Sequence, residues 1–78
     1  MFYVYILLLN NDNYYVGYSS NIKNRIVEHR RGRVYATKKF LPFELVFYSA
    51  FKAKPAAIKF EKYLKSSSGF AFRNKHLI

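Results

Sequence analysis

Two runs of aromatic and β-branched residues at the start of the chain constrain its fold more than any other feature. Phe2–Leu9 is apolar on both of its alternating faces, which is typical of a buried central strand. Tyr14–Tyr18 follows after Asn10–Asn13, four residues of the types that favour turns. These patterns predict an antiparallel hairpin. Gly17 weakens the second strand, so we expect it to allow the close approach of another backbone or of a ligand.

The rest of the chain predicts three helices and one further strand. Ser19–Asn21 offers N-cap side chains for the first helix, which Gly32 ends, and Ser66–Gly69 separates the last two helices. The chain is therefore α+β, a small three-stranded antiparallel sheet flanked by helices in the order β-β-α-β-α-α, within one domain over residues 1–78. The elements after the hairpin are a helix over Ile22–Arg31, an irregular basic loop over Arg33–Leu41, a strand over Glu44–Phe51, a helix from Pro55 to about Lys65, and a closing helix over Phe70–Leu77.

The charge of the chain points to a polyanionic partner. Fourteen Lys and Arg residues against four acidic residues give a formal net charge of +10, and nucleic acid is the usual partner of so positive a protein. An anionic membrane surface is the rival, but no segment forms a strongly amphipathic basic helix. The chain has no cysteine, which suits a reducing cytoplasm. The apolar start lacks a basic leader and a cleavage site and is too short to span a membrane.

Glu61 is predicted to lie on the core-facing side of the second helix. At about 100° per residue it shares the apolar stripe of that helix, while the lysines point away. A buried carboxylate needs a cation, a metal ion or a proton. A salt bridge at the margin of the core is the alternative explanation. The stripe consists of Ala57, Phe60, Glu61 and Leu64, and the residues expected to point away are Lys59, Lys62 and Lys65.

Arg25 and His29 flank the apolar stripe of the first helix on one side. They are four residues apart and therefore neighbours on the helix surface. We expect both side chains to point towards the hairpin. Taken singly, His29 is more often an ordinary boundary histidine and Arg25 a surface charge, but together with an inward Glu61 they suggest a polar site.

Tyr5 and Tyr15 of the hairpin join this site only if the numbers of the residues that face each other across the hairpin add up to an even number, as when Tyr5 faces Gly17. Tyrosines in strands usually serve packing, and we assign that role to the others. Tyr5 and Tyr15 lie on one face if Tyr5 pairs with Gly17 across a three-residue loop, whereas a slip by one residue separates them. The amino-acid sequence leaves this register open.

These residues and their order resemble the GIY-YIG nuclease family, in particular its small single-domain bacterial members. The chain is also similar to the N-terminal nuclease domain of the bacterial excinuclease. The motifs are Tyr3-Val4-Tyr5, then Tyr15-Val16-Gly17 with ten residues from Tyr5 to Tyr15, Arg25 with His29 four residues later, and an inward Glu61. The first triplet departs from the family name, with Tyr3 in place of Gly and Val4 in place of Ile, but both changes keep strand character.

The resemblance implies phosphodiester hydrolysis with one divalent metal ion, Mg²⁺ or Mn²⁺. By the same resemblance Glu61 binds the metal, Arg25 neutralises charge on the phosphate, and Tyr15 orients or helps to deprotonate the attacking water. Tyr5 supports the hydrogen-bond network, and His29 matches a position that some members use in proton transfer. A late polar residue that shapes the site corresponds to Asn74. Which group accepts the proton stays open.

Two functions from different classes follow. The first is a DNA endonuclease, structure-directed or weakly specific, with a role in DNA repair or processing and with a protein partner as one source of specificity. RNA is an alternative substrate. The second is a basic nucleic-acid-binding module that keeps the fold without chemistry. The residues predicted to contact nucleic acid in either case are Arg31, Arg33, Lys38 and Lys39.

Overall fold

A central antiparallel sheet carries helices on both faces, in the predicted α+β order. The computed structural model describes residues 1–77, so Ile78, the last residue of the predicted domain, lies outside the described residues. A short 3-10 helix at Lys38–Phe40 lies within the predicted basic loop. The strands are β1 (Phe2–Leu8), β2 (Tyr14–Ser19) and β3 (Glu44–Phe51), and the helices are α1 (Ile22–Arg30), α2 (Lys54–Lys65) and α3 (Ser67–His76).

The hairpin has the register that places Tyr5 and Tyr15 on one face. Strand β1 is the central strand, with the sheet order β2-β1-β3. Tyr5 pairs with Gly17 and Leu7 pairs with Tyr15. The loop contains three residues and ends at Asp12, whose φ of 65° completes the turn. The turn therefore decides which side chains share a face, as expected for this loop length.

Alternate residues of the hairpin build two separate cores. On one face, Val4 and Ile6 of β1 pack with Val16 against Ala57 and Leu64 of α2. On the other face, the second cluster combines strand residues with α1 and with the segment after it, and consists of Tyr5, Leu7, Leu9 and Ile26 with Tyr15, Ile22, Phe40, Phe43 and Leu45 around them. The sheet thus separates α1 from α2.

The last helix begins earlier than the sequence predicted. The break between α2 and α3 is Ser66 alone, not Ser66–Gly69, and α3 begins at Ser67 instead of Phe70. The Ser66 hydroxyl accepts the Gly69 N–H at 3.2 Å, so Ser66 is a helix cap. A Cβ on Gly69 would lie 1.6 Å from the Tyr63 carbonyl oxygen, so glycine here permits a tight turn between the helices.

The other predicted elements agree with the structure to within about one residue at each end. The side chain of Asn21 caps α1 by accepting the Asn24 N–H at 3.2 Å. Within residues 1–77, no helix is both long enough and apolar enough to cross a membrane.

Candidate active site

Tyr5 is the central residue of the polar site, and Gly17 makes its position possible. The Tyr5 side chain is fully buried. A Cβ added to Gly17 would lie 2.3 Å from both Cζ and the hydroxyl oxygen of Tyr5. The predicted close approach at Gly17 is therefore present, but the approaching group is an aromatic ring. Since β2 is an edge strand, this packing brings the Tyr5 hydroxyl to the edge of the sheet.

His29 connects the Tyr5 hydroxyl to the segment that follows α1. Its Nε2 lies 2.8 Å from the Tyr5 oxygen, and its Nδ1 lies 2.8 Å from Thr37 Oγ1. The Thr37 hydroxyl donates to the carbonyl oxygen of Val34 at 3.5 Å. Because that hydroxyl has only one proton, it accepts from His29 Nδ1–H, and Nε2 accepts the proton of the Tyr5 hydroxyl. The tautomer of His29 is assigned by this chain of donors and acceptors.

Both rings in this chain are held in their neutral forms. Burial is the main cause that lowers the pKa of His29 to about 4, and the positive charge of Arg25 lowers it further. Burial also raises the pKa of Tyr5 to about 12, against the opposing effect of Arg25. At neutral pH, Tyr5 is thus a protonated donor and His29 an uncharged acceptor.

Arg25 lies beside the two phenols and has a donor without an acceptor. Its interaction with Tyr5 is the largest cause that raises the pKa of the guanidinium, and Tyr15 adds to it. Arg25 Nε is buried and makes no hydrogen bond within residues 1–77. A buried donor left unpaired costs about 1–3 kcal/mol. Because the group is cationic, an anionic oxygen is the acceptor that would best satisfy this N–H.

Tyr15 lies between this buried chain and the open edge of β2. Its ring centroid is 5.3 Å from that of His29 and 6.4 Å from that of Tyr5. Unlike those two residues, Tyr15 is partly exposed. The predicted grouping of Tyr5, Tyr15, Arg25 and His29 is therefore present, with Tyr15 on its outer side and His29 fully buried behind it.

Glu61 lies on α2, which packs on the opposite face of the sheet from α1. Its side chain is 19% exposed, and its Oε2 accepts from Lys65 Nζ at 3.0 Å. Lys65 is exposed, as predicted, and because residues four apart on a helix are neighbours, it forms with Glu61 the salt bridge that was the alternative explanation for this carboxylate. The negative charge of Glu61 is the smallest of the causes that act on the pKa of Tyr5, and it acts in the raising direction.

The acidic residues allow only a sparse metal site. Within residues 1–77, no group of three Asp, Glu, His or Cys side chains is placed to hold a metal ion. Glu61 is the carboxylate that acts on the polar site. This fits Mg²⁺, which keeps several water ligands and commonly uses one or two carboxylates together with phosphate oxygens of the substrate.

A cavity of about 600 Å³ opens next to Tyr15 along β2. It extends from the hairpin turn to α2 and α3, and Asn74 of α3 lines it together with Lys65. The loosely predicted Asn74 therefore lies in the same cavity as Tyr15. Tyr14, Tyr15 and Val16 all line the cavity, so it extends along the edge strand β2.

The four basic residues predicted to contact nucleic acid are exposed. Arg33 forms an ion pair with Glu28 at 3.3 Å, and Lys38 lies 4.9 Å from the centroid of the Tyr35 ring. Their segment is less open than the predicted irregular loop, since Val34 and Thr37 within it are buried. The residues concerned are Arg31, Arg33, Lys38 and Lys39.

Two buried polar residues were not predicted from the sequence: Thr37, which bonds to His29, and Arg73, which lines the cavity. Thr37 was considered only as part of a basic loop, although it is fully buried and bonds to His29. Arg73 was considered only as part of the predicted closing helix over Phe70–Leu77, although it is 5% exposed. A threonine within a run of cations is a weak signal, and the even spread of charge in α3 gave none.

Fold and site together define a small α+β domain with phenols, an imidazole and a guanidinium grouped at one sheet edge. The GIY-YIG catalytic domain family matches residues 1–75. The chain belongs to this family, and with it to the GIY-YIG nuclease superfamily.

Relatives of similar size support the assignment. A UPF0213 protein of Natronomonas pharaonis is 37% identical over 67 residues, which cover 85% of this chain and 79% of that protein. A UPF0213 protein of Staphylococcus saprophyticus is 34% identical, with 85% and 82% covered. The solution NMR structure of the UPF0213 protein BH0048 from Bacillus halodurans has a TM-score of 0.61 and 32% identity, over 96% of this chain and 84% of that one.

Proposed function

We propose that this chain is a metal-dependent endonuclease that hydrolyses phosphodiester bonds in DNA. The observation that carries the proposal is the grouping of Arg25, with its unpaired buried N–H, beside Tyr15 and the chain from Tyr5 through His29 to Thr37. Phosphoryl transfer gains most from cationic groups fixed where negative charge accumulates. The net charge of +10 favours a polyanionic substrate.

Arg25 is the group proposed to bind the scissile phosphate. A phosphate oxygen would supply the acceptor that Nε lacks, through a charge-assisted hydrogen bond. Glu61 would hold Mg²⁺ or Mn²⁺ on the other side of the same edge. When bound, such an ion supplies a Lewis acid for the phosphoryl group and for a coordinated water.

His29 is proposed to position Tyr5 and not to store a proton. With its pKa lowered to about 4, His29 is too weak a base to be charged at neutral pH, and its full burial keeps it from the substrate. Its role is to fix the Tyr5 proton on the inner side, so that the lone pairs of the Tyr5 oxygen point towards Arg25 and the site. Tyr15, which lines the cavity, is the phenol placed to orient an attacking water.

Nicking of supercoiled plasmid tests the proposal. We expect nicking that requires Mg²⁺ or Mn²⁺, stops with chelator and is abolished in Glu61→Gln, while salt-sensitive DNA binding persists. Glu44→Gln is the matched control, because Glu44 is an exposed acid on β3 and its loss should leave nicking unchanged. Binding without metal-dependent cleavage on duplex, branched and single-stranded DNA would overturn the proposal and favour the nonenzymatic module. Cleavage of RNA oligonucleotides under the same metal and chelator conditions shows whether RNA is a substrate as well as DNA.

A further inference from the structure

Arg73 is a buried cation without an acidic partner among residues 1–77. Its side chain is 5% exposed, and no carboxylate of that part of the chain lies within 4.0 Å of it. Its Nε donates a hydrogen bond to Asn74 Oδ1 at 3.4 Å. Burial lowers the pKa of the guanidinium. A charge removed from water is normally compensated by an anion, so the surroundings of Arg73 are incomplete for a purely structural residue.

Two aromatic rings hold the guanidinium in place. Its central carbon lies 4.2 Å from the centroid of Phe70 and 5.1 Å from that of Tyr14. Such contacts stabilise a planar cation but leave its N–H groups able to donate at the edge. Both rings are also partly open to solvent, with 54% of Phe70 and 37% of Tyr14 exposed.

Arg73 lines the same cavity of about 600 Å³ as Tyr15 of the candidate active site. Lys65 and Asn74 add an ammonium and an amide to its wall. Asp12 also lines the cavity, and within residues 1–77 it forms no ion pair with Arg73. The volume is suited to a nucleotide, since small-ligand sites commonly occupy about 300–1,000 Å³.

We propose that this cavity binds a backbone phosphate of the DNA strand next to the scissile phosphate, with Arg73 as the phosphate-binding residue. The exposed faces of Phe70 and Tyr14 offer stacking surfaces for the adjoining base. The proposal rests on the proposed nuclease function, because Tyr15 belongs both to the candidate active site and to the wall of this cavity. It assigns substrate binding to α3 and the hairpin turn.

Binding of a short oligothymidylate in the presence of chelator tests this site without any cleavage. We expect Arg73→Gln to weaken binding roughly tenfold, as for the loss of a hydrogen bond to a charged group. The slope of log affinity against log salt should become shallower by about 0.7, the value for one phosphate contact on a single strand. Lys59→Gln, an exposed charge on α2, is the matched control and should change both quantities much less. Equal effects in the two variants would overturn the proposal.

Titration of the wild-type chain with thymidine 5′-monophosphate gives a test that does not depend on the folding of a variant. We expect its amide NMR signals to shift around Lys65, Arg73 and Asn74, and thymidine without phosphate to shift them much less. No response, or the same response to both compounds, would contradict a phosphate site. Because neither measurement involves cleavage, a wild-type chain that binds here but never nicks DNA would overturn the nuclease proposal and leave this site standing.

Discussion

The two faces of the sheet differ in chemistry although the same strands build both. Towards α2, Val4 and Ile6 pack into an apolar core with Leu64. Towards α1, the neighbouring Tyr5 ends in a hydroxyl that is bonded to a fully buried histidine. The face towards α2 stabilises the folded state by removing apolar surface from water, whereas the face towards α1 contains polar groups that must be paired.

This difference shows how a small chain can separate stability from chemistry. Because strand side chains alternate, one residue step along β1 changes from the apolar core to the polar site. Residues from both faces meet at the cavity along β2, which Tyr15 lines together with Leu64 and Lys65 of α2. Substitutions on the face towards α2 should therefore affect only the free energy of unfolding, whereas substitutions on the face towards α1 should also affect DNA cleavage.

The largest effect is expected from Gly17→Ala. The added methyl group would lie 2.3 Å from the Tyr5 hydroxyl, so the phenol must move. A displacement of about 1 Å in a catalytic site can reduce the rate about a hundredfold, and overpacking costs about 1–3 kcal/mol. Plasmid nicking and denaturant unfolding measure the two effects. Ile6→Val, on the apolar face, should lower the free energy of unfolding by about 0.5–1.5 kcal/mol and leave plasmid nicking unchanged. If Ile6→Val lost as much nicking activity as Gly17→Ala, the separation of the two faces would be contradicted.

The pH dependence of stability should reveal the buried histidine. Unfolded His29 takes up a proton near its ordinary pKa of 6.5, whereas the folded chain resists protonation until about 4. The unfolded state then binds more protons between these values, so stability falls as the pH drops from 6.5 to 4. The lowered pKa of His29 corresponds to a decrease of about 3 kcal/mol in the free energy of unfolding over this pH range. Unfolding curves of His29→Gln should lack this component, while the exposed His76→Gln keeps it. If the free energy of unfolding depended on pH equally in the wild type, His29→Gln and His76→Gln, a contribution from His29 would be excluded.

Thr37→Val tests the inner end of the hydrogen-bonded chain. Valine keeps the shape of threonine but leaves His29 Nδ1–H without its acceptor, which should cost about 1–3 kcal/mol. Tyr5 would also lose its fixed orientation, so nicking should fall in protein that remains folded. Thr37→Ser restores the hydroxyl and should recover the rate. A serine variant as slow as the valine variant would assign to Thr37 a packing role only.

The smallest effect is expected from Lys65→Gln on stability. Its ion pair with Glu61 spans one helical turn, and Lys65 is 53% exposed, so the pair is screened by water and should contribute about 0.3–0.5 kcal/mol. Thermal unfolding at low and high salt measures this term. A loss above about 1 kcal/mol would show that Lys65 compensates a charge of the polar face and is more than a surface pair.

The sequence predicted most of the fold because the local signals agreed with one another. Turn residues, N-cap candidates at Ser19–Asn21 and apolar runs indicated the elements and, with one exception, their ends; the structure shows that Asn21 is the cap. The exception was the start of α3, where a serine-rich stretch suggested a break. Serine is both a breaker and a cap, and packing of Gly69 against Tyr63 decided between the two.

The candidate site was predictable only in part. Arg25 and His29 were identified because four residues along a helix give neighbours whatever the fold. Thr37 and Arg73 were missed because their importance depends on burial, which places a threonine behind a histidine and an arginine between two rings. The helix stripe placed Lys65 on the exposed side of α2, where it lies, but periodicity alone left open whether Glu61 forms a salt bridge, and the structure shows that its partner is Lys65.

The amino-acid sequence by itself determined the types of the elements, the positive charge and the supply of phenols, imidazole and guanidinium, since these follow from composition and from local periodicity. The tertiary structure decided which of those groups meet. The three-residue turn set the register, the register put Tyr5 over Gly17, and only then did α1 bring Arg25 and His29 to the two phenols. Register and burial depend on contacts between residues that are distant in the chain, and local patterns do not specify such contacts.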